Sequence, residues 1–168
     1  MPAVVGMVAN ALYNLVDTIF VGRGVGSLAI GALAIAFPLQ ILIVAIAQTI
    51  GIGAGSAVSR SLGAGEVNRA KFVVGNSFLC VITLSLIVSI TGLTFTDRIL
   101  VFFGATQNIL PYARDYIVIL LWGLTFFSFA ISSNNLIRAE GNARVAMISM
   151  LIGAILNIFL DFLFIFVF

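Results

Sequence analysis

The chain alternates long apolar runs with short polar breaks that contain glycine. A helix needs about 20 apolar residues to cross the hydrocarbon core of a bilayer, and five runs reach that length. The pattern therefore predicts an all-α integral membrane protein with about five transmembrane helices. The predicted spans are residues 2–21, 28–59, 72–95, 115–137 and 145–168.

The second span is longer than one straight crossing requires, and Pro38 inside it predicts a kink that lets the helix tilt. Near its end, Gly51 and Gly55 form a GxxxG pair. Such a pair indicates close packing of a neighbouring helix, with local flexibility as the alternative. The polar segment 60–71 is predicted to be a loop. Residues 99–103 are apolar but too short to span, so they are predicted to lie along the membrane interface.

Polar side chains interrupt the first and the last span. Asn10, Asn14 and Asp17 follow at i, i+4 and i+7, so on a helix they form one polar stripe. Asn157 and Asp161 are likewise four residues apart and share one helix face. A charge in mid-membrane costs roughly 2.5–3.5 kcal/mol on insertion scales, and acids kept there are functional by default. Both stripes are therefore candidate binding sites.

The fourth span carries a stripe of its own, formed by Thr125, Ser128, Ser132 and Asn135 at i, i+3, i+7 and i+10. This stripe is predicted to face other helices or a cavity rather than lipid. Hydrogen bonding between helices is the simpler interpretation. Lining of a substrate cavity, together with Asn10, is the alternative.

The amino-acid composition excludes several classes of function. The chain has 168 residues, of which 62% are hydrophobic and 8% charged, against about 25% charged in a soluble domain. It has no histidine and one cysteine, which excludes a thiol–imidazole catalytic pair and a zinc site built from those residues. The basic residues are scattered and form no nucleic-acid-binding patch. Aspartic proteases and glycosidases also use a pair of acids for catalysis. In this chain Asp17 and Asp161 lie on apolar helices without a substrate groove, so no enzymatic activity and no organic cofactor are expected.

The two acids can act together if the first and fifth spans, which run in the same direction, are neighbours. Asp17, Asn14, Asn157 and Asp161 would then offer two carboxylates and two amide oxygens, a ligand set that suits Na⁺ or another hard cation. The same carboxylates could instead load and release a proton. The residues leave the choice between Na⁺ and H⁺ open.

Basic residues also indicate an orientation. Five of them lie in the segments that follow the second and fourth spans, and three lie on the other side. The positive-inside rule therefore places those segments, and with them the N-terminus, in the cytoplasm. The predicted location is the cytoplasmic membrane, with lipid around the helices.

Several runs resemble the first half of a transporter of the MATE (multidrug and toxic compound extrusion) family. They are YNLVDTIFVGRG at 13–24, SLGAGE at 61–66, GAT at 104–106 and NNLIRAEGNARVAMISMLIGAILNIFLDFLFIF at 134–166. The resemblance implies part of a six-helix N-terminal lobe, with a C-terminal lobe missing from this chain. It also implies export of organic cations in exchange for Na⁺ or H⁺, with Asp17, Asn157 and Asp161 as the cation site.

Two other interpretations of the function remain. One is a flippase for lipids or lipid-linked saccharides, an architecture that often lines its cavity with arginine. This chain has no arginine well inside a predicted span, which favours cationic substrates. The other is a membrane fragment without transport activity, whose polar stripes only join helices.

Overall fold

The computed structural model describes residues 6, 8, 11–12, 15–16, 18–20 and 27–166, with side chains from residue 30 to 165 in the last of these ranges. The described residues before residue 27 are all helical. Four long helices follow, α1 (Ser27–Gly63), α2 (Val67–Phe102), α3 (Leu110–Ala139) and α4 (Ala143–Phe166). No strand occurs in these ranges. All four helices are long and apolar enough to cross a membrane, so the predicted all-α membrane class is confirmed.

The helices extend well past the apolar runs from which they were predicted. Helix α1 has 37 residues and α2 has 36, or about 55 Å each at 1.5 Å per residue. That exceeds the roughly 30 Å hydrocarbon core, so each helix tilts or projects beyond it. Pro38 lies inside α1, which continues as one helix across it.

The predicted loop at 60–71 is wrong. Most of that segment is helical, because α1 continues to Gly63 and α2 begins at Val67. Both helices continue into polar sequence, which hydropathy alone does not distinguish from a loop. Residues 99–102 are the last turn of α2, and their predicted position along the membrane interface stays a prediction.

Helices α1, α2 and α3 end in the same way. Gly65, Gly104 and Gly141 have φ of 77°, 98° and 90°, a left-handed conformation that glycine adopts without a Cβ clash. The next residue donates its N–H five residues back, as Glu66 does to the carbonyl of Ser61 at 2.8 Å. This is the Schellman arrangement, which satisfies the last carbonyls of a helix. The runs SLGAGE, GAT and EGN are therefore helix stops.

Helix α2 bends near its end. Phe95 has non-helical angles of φ −115° and ψ 18°. One residue later, Thr96 donates its hydroxyl to the carbonyls of Gly92 and Leu93, at 2.7 and 3.3 Å. Hydroxyls that bond back to the preceding turn often bend a helix, so Thr96 accounts for the kink.

The core lies between α1, α2 and α3, which all contact one another, with the most extensive contact between α1 and α3. Helix α4 contacts α3 much less. The largest buried side chains in this three-helix core are Leu100, Ile117, Leu121 and Leu124, with small residues such as Ala32 and Ala36 facing them. A second, smaller cluster of Val58, Ala70 and Leu136 joins the end of α1, the start of α2 and the end of α3.

Candidate functional site

The predicted stripe of the first span lies outside the described residues. Asn10, Asn14 and Asp17 are not among the residues that the structure places. The expected meeting of Asp17 with Asp161 therefore stays a prediction.

The predicted stripe on α4 is half-buried. Asn157 and Asp161 stand one turn apart and are both partly covered, whereas their neighbours Phe159 and Phe162 are 61% and 52% exposed. The amide oxygen Oδ1 of Asn157 has no exposed surface and, among the described residues, no hydrogen-bond partner; the carboxylate oxygen Oδ2 of Asp161 is shielded from solvent as well. One helix face thus presents two inward-facing oxygens of the kind that bind a hard cation.

The stripe on α3 lies against other helices. Ser132 is fully buried and Ser128 is 4% exposed, while Thr125 and Asn135 are half-buried. Ser128 borders a cavity of about 10 Å³ together with Ser85 of α2. A space of that size holds about one water molecule and no organic substrate. In the described part of the chain this stripe lies at helix contacts, although Oγ of Ser132 has no hydrogen-bond partner among the described residues. Its lining of a substrate cavity stays a prediction.

Asn135 is the centre of a hydrogen-bond chain between α1 and α3. Its amide Nδ2 donates to Oε1 of Gln48 at 2.7 Å, and its Oδ1 accepts from Nη2 of Arg138 at 3.1 Å. Sequence reasoning missed Gln48, although α1 carries a second glutamine, Gln40, eight residues earlier. Residues eight apart lie on nearly the same helix face, and that spacing is the signal that could have revealed it.

Gly51 and Gly55 lie directly against α3. A Cβ at Gly51 would meet Nδ2 of Asn135 at 2.7 Å and the backbone Cα of Ser132 at 3.1 Å. A Cβ at Gly55 would meet the Cβ of Ala139 at 3.3 Å. The absence of side chains at these two positions lets the α1 and α3 backbones approach, and this approach places Gln48 within reach of Asn135.

A stripe of small residues on α2 also escaped the sequence reasoning. The buried face of α2 carries Ser77, Ser85, Ser89, Gly92 and Thr96. Ser89 donates its hydroxyl to the backbone carbonyl of Leu121 at 2.7 Å, and the space above Gly92 is filled by the Leu121 side chain. The spacing of these residues at intervals of three, four and eight was the available signal.

The comparisons with known proteins agree with this architecture. A family model described as MatE matches residues 2–163. Because that match covers nearly the whole chain, the chain belongs to the MatE family, and the resemblance read from the sequence is confirmed.

A MATE protein solved in the straight conformation has a TM-score of 0.93 and 34% identity, with 99% of this chain and 37% of that chain covered. A MOP superfamily transporter from Pyrococcus furiosus has the same TM-score and identity, with 99% of this chain and 36% of that chain covered. Its description states that reverse polarity of its binding pocket suggests a different function.

Among curated proteins, multidrug export protein MepA of Staphylococcus aureus strain NCTC 8325 is 31% identical over 161 residues. The MepA protein of Staphylococcus haemolyticus strain JCSC1435 is 29% identical over 161 residues. Each match covers 96% of this chain and 36% of the relative. The chain therefore spans little more than a third of the length of these export proteins.

Proposed function

We propose that this chain forms the N-terminal lobe of a cation-coupled exporter of organic cations, with Na⁺ or H⁺ as the coupling ion. The observation that carries the proposal is the pair Asn157 and Asp161, whose shielded oxygens lie on a helix that is otherwise apolar beyond Ser149. The names of the MepA relatives support drug export. A second lobe of the same transporter would complete the substrate pathway, as in other two-lobed transporters.

The chemistry follows from burial. A carboxylate in a low-dielectric environment is costly unless a cation or a proton compensates it. Asp161 would supply the charge, and Oδ1 of Asn157 a neutral oxygen ligand. Asp17 and Asn14 of the first span are proposed as the other half of the site. A cation drives transport only if it binds the inward- and outward-open states with different affinity, so this site would hold it in one state and release it in the other.

We further propose that the turns after α1 and α3 face the cytoplasm. Arg60, Arg69 and Lys71 lie at the first turn, and Arg138 and Arg144 at the second. Basic residues in short connections are retained on the cytoplasmic side. The N-terminus would then also be cytoplasmic, and the location would be the cytoplasmic membrane.

The test is Asp161→Asn in the complete transporter that contains this lobe, assayed by drug efflux from cells. The substitution keeps the size of the side chain and removes its charge, so efflux should be lost while expression and membrane insertion stay normal. Asp115→Asn is the matched control, because Asp115 is exposed at the start of α3 and its loss should leave efflux unchanged. Full efflux by the Asp161→Asn variant would refute the proposal.

The second candidate is a flippase for anionic lipids, which would need a basic cavity. It is considered because reverse polarity of the binding pocket is stated to suggest a different function for the Pyrococcus furiosus neighbour. In the described part of this chain, every arginine lies near a helix end and all but Arg138 are exposed. Organic cations are therefore the better match. Binding of a pyrophosphate lipid by the complete transporter, without binding of organic cations, would reverse this choice.

A further inference from the structure

The two ends of the helix bundle differ in charge. Helices α1 and α3 run parallel, since Gly51 and Gly55 meet Asn135 and Ala139 in register, so the turns that follow them lie at the same end. That end, here the basic end, has five basic and two acidic residues. They are Arg60, Arg69, Lys71, Arg138, Arg144, Glu66 and Glu140. At the opposite end, the charges of the described residues sum to zero. They are Asp97, Arg98, Arg114 and Asp115.

A groove opens on the outer face of α2 at the basic end. Its lining residues lie on successive turns of this one helix and border an open space of about 390 Å³. They are Asn68, Lys71, Phe72, Gly75 and Asn76. The groove exists because Gly75 has no side chain, and a Cβ built there would meet nothing within 4 Å.

Along the helix, Asn68 and Lys71 lie nearest the basic end, Phe72, Gly75 and Asn76 follow, and the apolar Leu79 lies beyond them. Lys71 is exposed and, among the described residues, has no ion-pair partner, whereas neighbouring Arg69 is paired with Glu66 at 3.0 Å. Phe72 is 73% exposed, and Leu79, one turn beyond Gly75, is 65% exposed. A cation with one amide beside it, a second amide about 7.5 Å further along the helix and then apolar Leu79 match the order of phosphate, ester and acyl chain in a phospholipid.

We propose that this groove binds one anionic phospholipid of the surrounding leaflet. The Lys71 ammonium contacts the headgroup phosphate, Asn68 and Asn76 donate to phosphate or ester oxygens, and an acyl chain passes over Gly75 toward Leu79. The net positive charge of the basic end selects anionic over zwitterionic headgroups, since each basic residue near an anionic surface adds attraction. The proposal concerns lipid and does not depend on the transport activity.

The experiment is native mass spectrometry of the purified chain, released from micelles containing equal amounts of phosphatidylglycerol and phosphatidylcholine. The expected result is a first bound lipid that is predominantly phosphatidylglycerol. Lys71→Ala should reduce the preference about fivefold, the contribution of one basic residue at an anionic surface, and Lys71→Arg should restore it. Arg98→Ala at the opposite end is the matched control and should leave the preference unchanged.

A second variant tests the groove apart from the charge. A Cβ at Gly75 meets nothing within 4 Å, so Gly75→Leu should fill the groove and lower the occupancy of the first bound lipid while the protein stays folded. Gly153→Leu on α4, where a Cβ also meets nothing, is its control. Equal binding of both lipids by the unmodified chain, or unchanged selectivity in Lys71→Ala, would overturn the proposal. So would displacement of the lipid by inorganic phosphate alone, or a dimer that Gly75→Leu abolishes.

Discussion

The amide of Asn135 donates to the side-chain oxygen of Gln48 across the α1–α3 interface at 2.7 Å. The bond joins two half-buried side chains on helices that approach closely because Gly51 lies between them. Arg138 donates to the other side of the same amide at 3.1 Å, so Asn135 is bonded through both its nitrogen and its oxygen. These two hydrogen bonds fix the register of α1 against α3 near the basic end.

Removal of either partner of this bond should destabilise the lobe. Hydrogen bonds between membrane helices contribute on average about 0.6 kcal/mol and at most about 1.7. We expect Asn135→Ala and Gln48→Ala each to lower the melting temperature in detergent, and the double variant to lose less than the sum of the two. Gln107→Ala, at an exposed turn, is the control. Additive losses in this double-mutant cycle would show that the two side chains are not coupled.

The glycine at the same crossing gives a sharper steric prediction. Gly51→Ala places a Cβ 2.7 Å from Asn135 and 3.1 Å from the α3 backbone at Ser132, so the helices must separate. Overpacking of this kind typically costs about 1–3 kcal/mol. Gly53→Ala, two residues away with nothing within 4 Å, should leave thermal stability unchanged or slightly raised. Equal behaviour of the two variants would contradict the close α1–α3 contact.

Two buried serines on α2 allow the stability contribution of a hydrogen bond between helices to be compared with that of a hydrogen bond within one helix. Ser89 donates to Leu121 of α3 at 2.7 Å, whereas Ser77 donates to Val74 of its own helix at 2.8 Å. Ser89→Ala should therefore lower the free energy of unfolding by about 1 kcal/mol. Ser77→Ala should have a smaller effect, because no second helix loses a partner. The check is thermal unfolding of both variants in the same detergent.

The sequence was sufficient for the fold class, because apolar runs of about 20 residues have few interpretations. Helix ends were less predictable. Hydropathy falls where a helix leaves the hydrocarbon core, so it does not distinguish the polar end of α1 and the polar start of α2 from loops.

Side-chain partners between helices were the least predictable part. The stripe that includes Ser132 and Asn135 was expected to face other helices, but nothing in the pattern identified Gln48 as a partner of Asn135. That pairing depends on how closely α1 and α3 approach at Gly51, a three-dimensional property. The face shared by Asn157 and Asp161 follows from helical periodicity alone, whereas their relation to Asp17 depends on residues outside the described part of the chain.

The proposed cation site predicts a stabilising ligand. A cation that binds only the folded state raises stability by about 2.7 kcal/mol at a hundredfold excess over its Kd, so NaCl should raise the melting temperature of the chain more than choline chloride at equal ionic strength. Asn157→Leu removes a buried oxygen and should abolish the difference, whereas Asn108→Leu at an exposed turn should preserve it. A melting temperature that depends on pH but not on Na⁺, and that loses this dependence in Asp161→Asn, would assign the proton as the coupling ion. If the melting temperature of the unmodified chain depends on neither Na⁺ nor pH, the polar stripes only join helices and form no cation site.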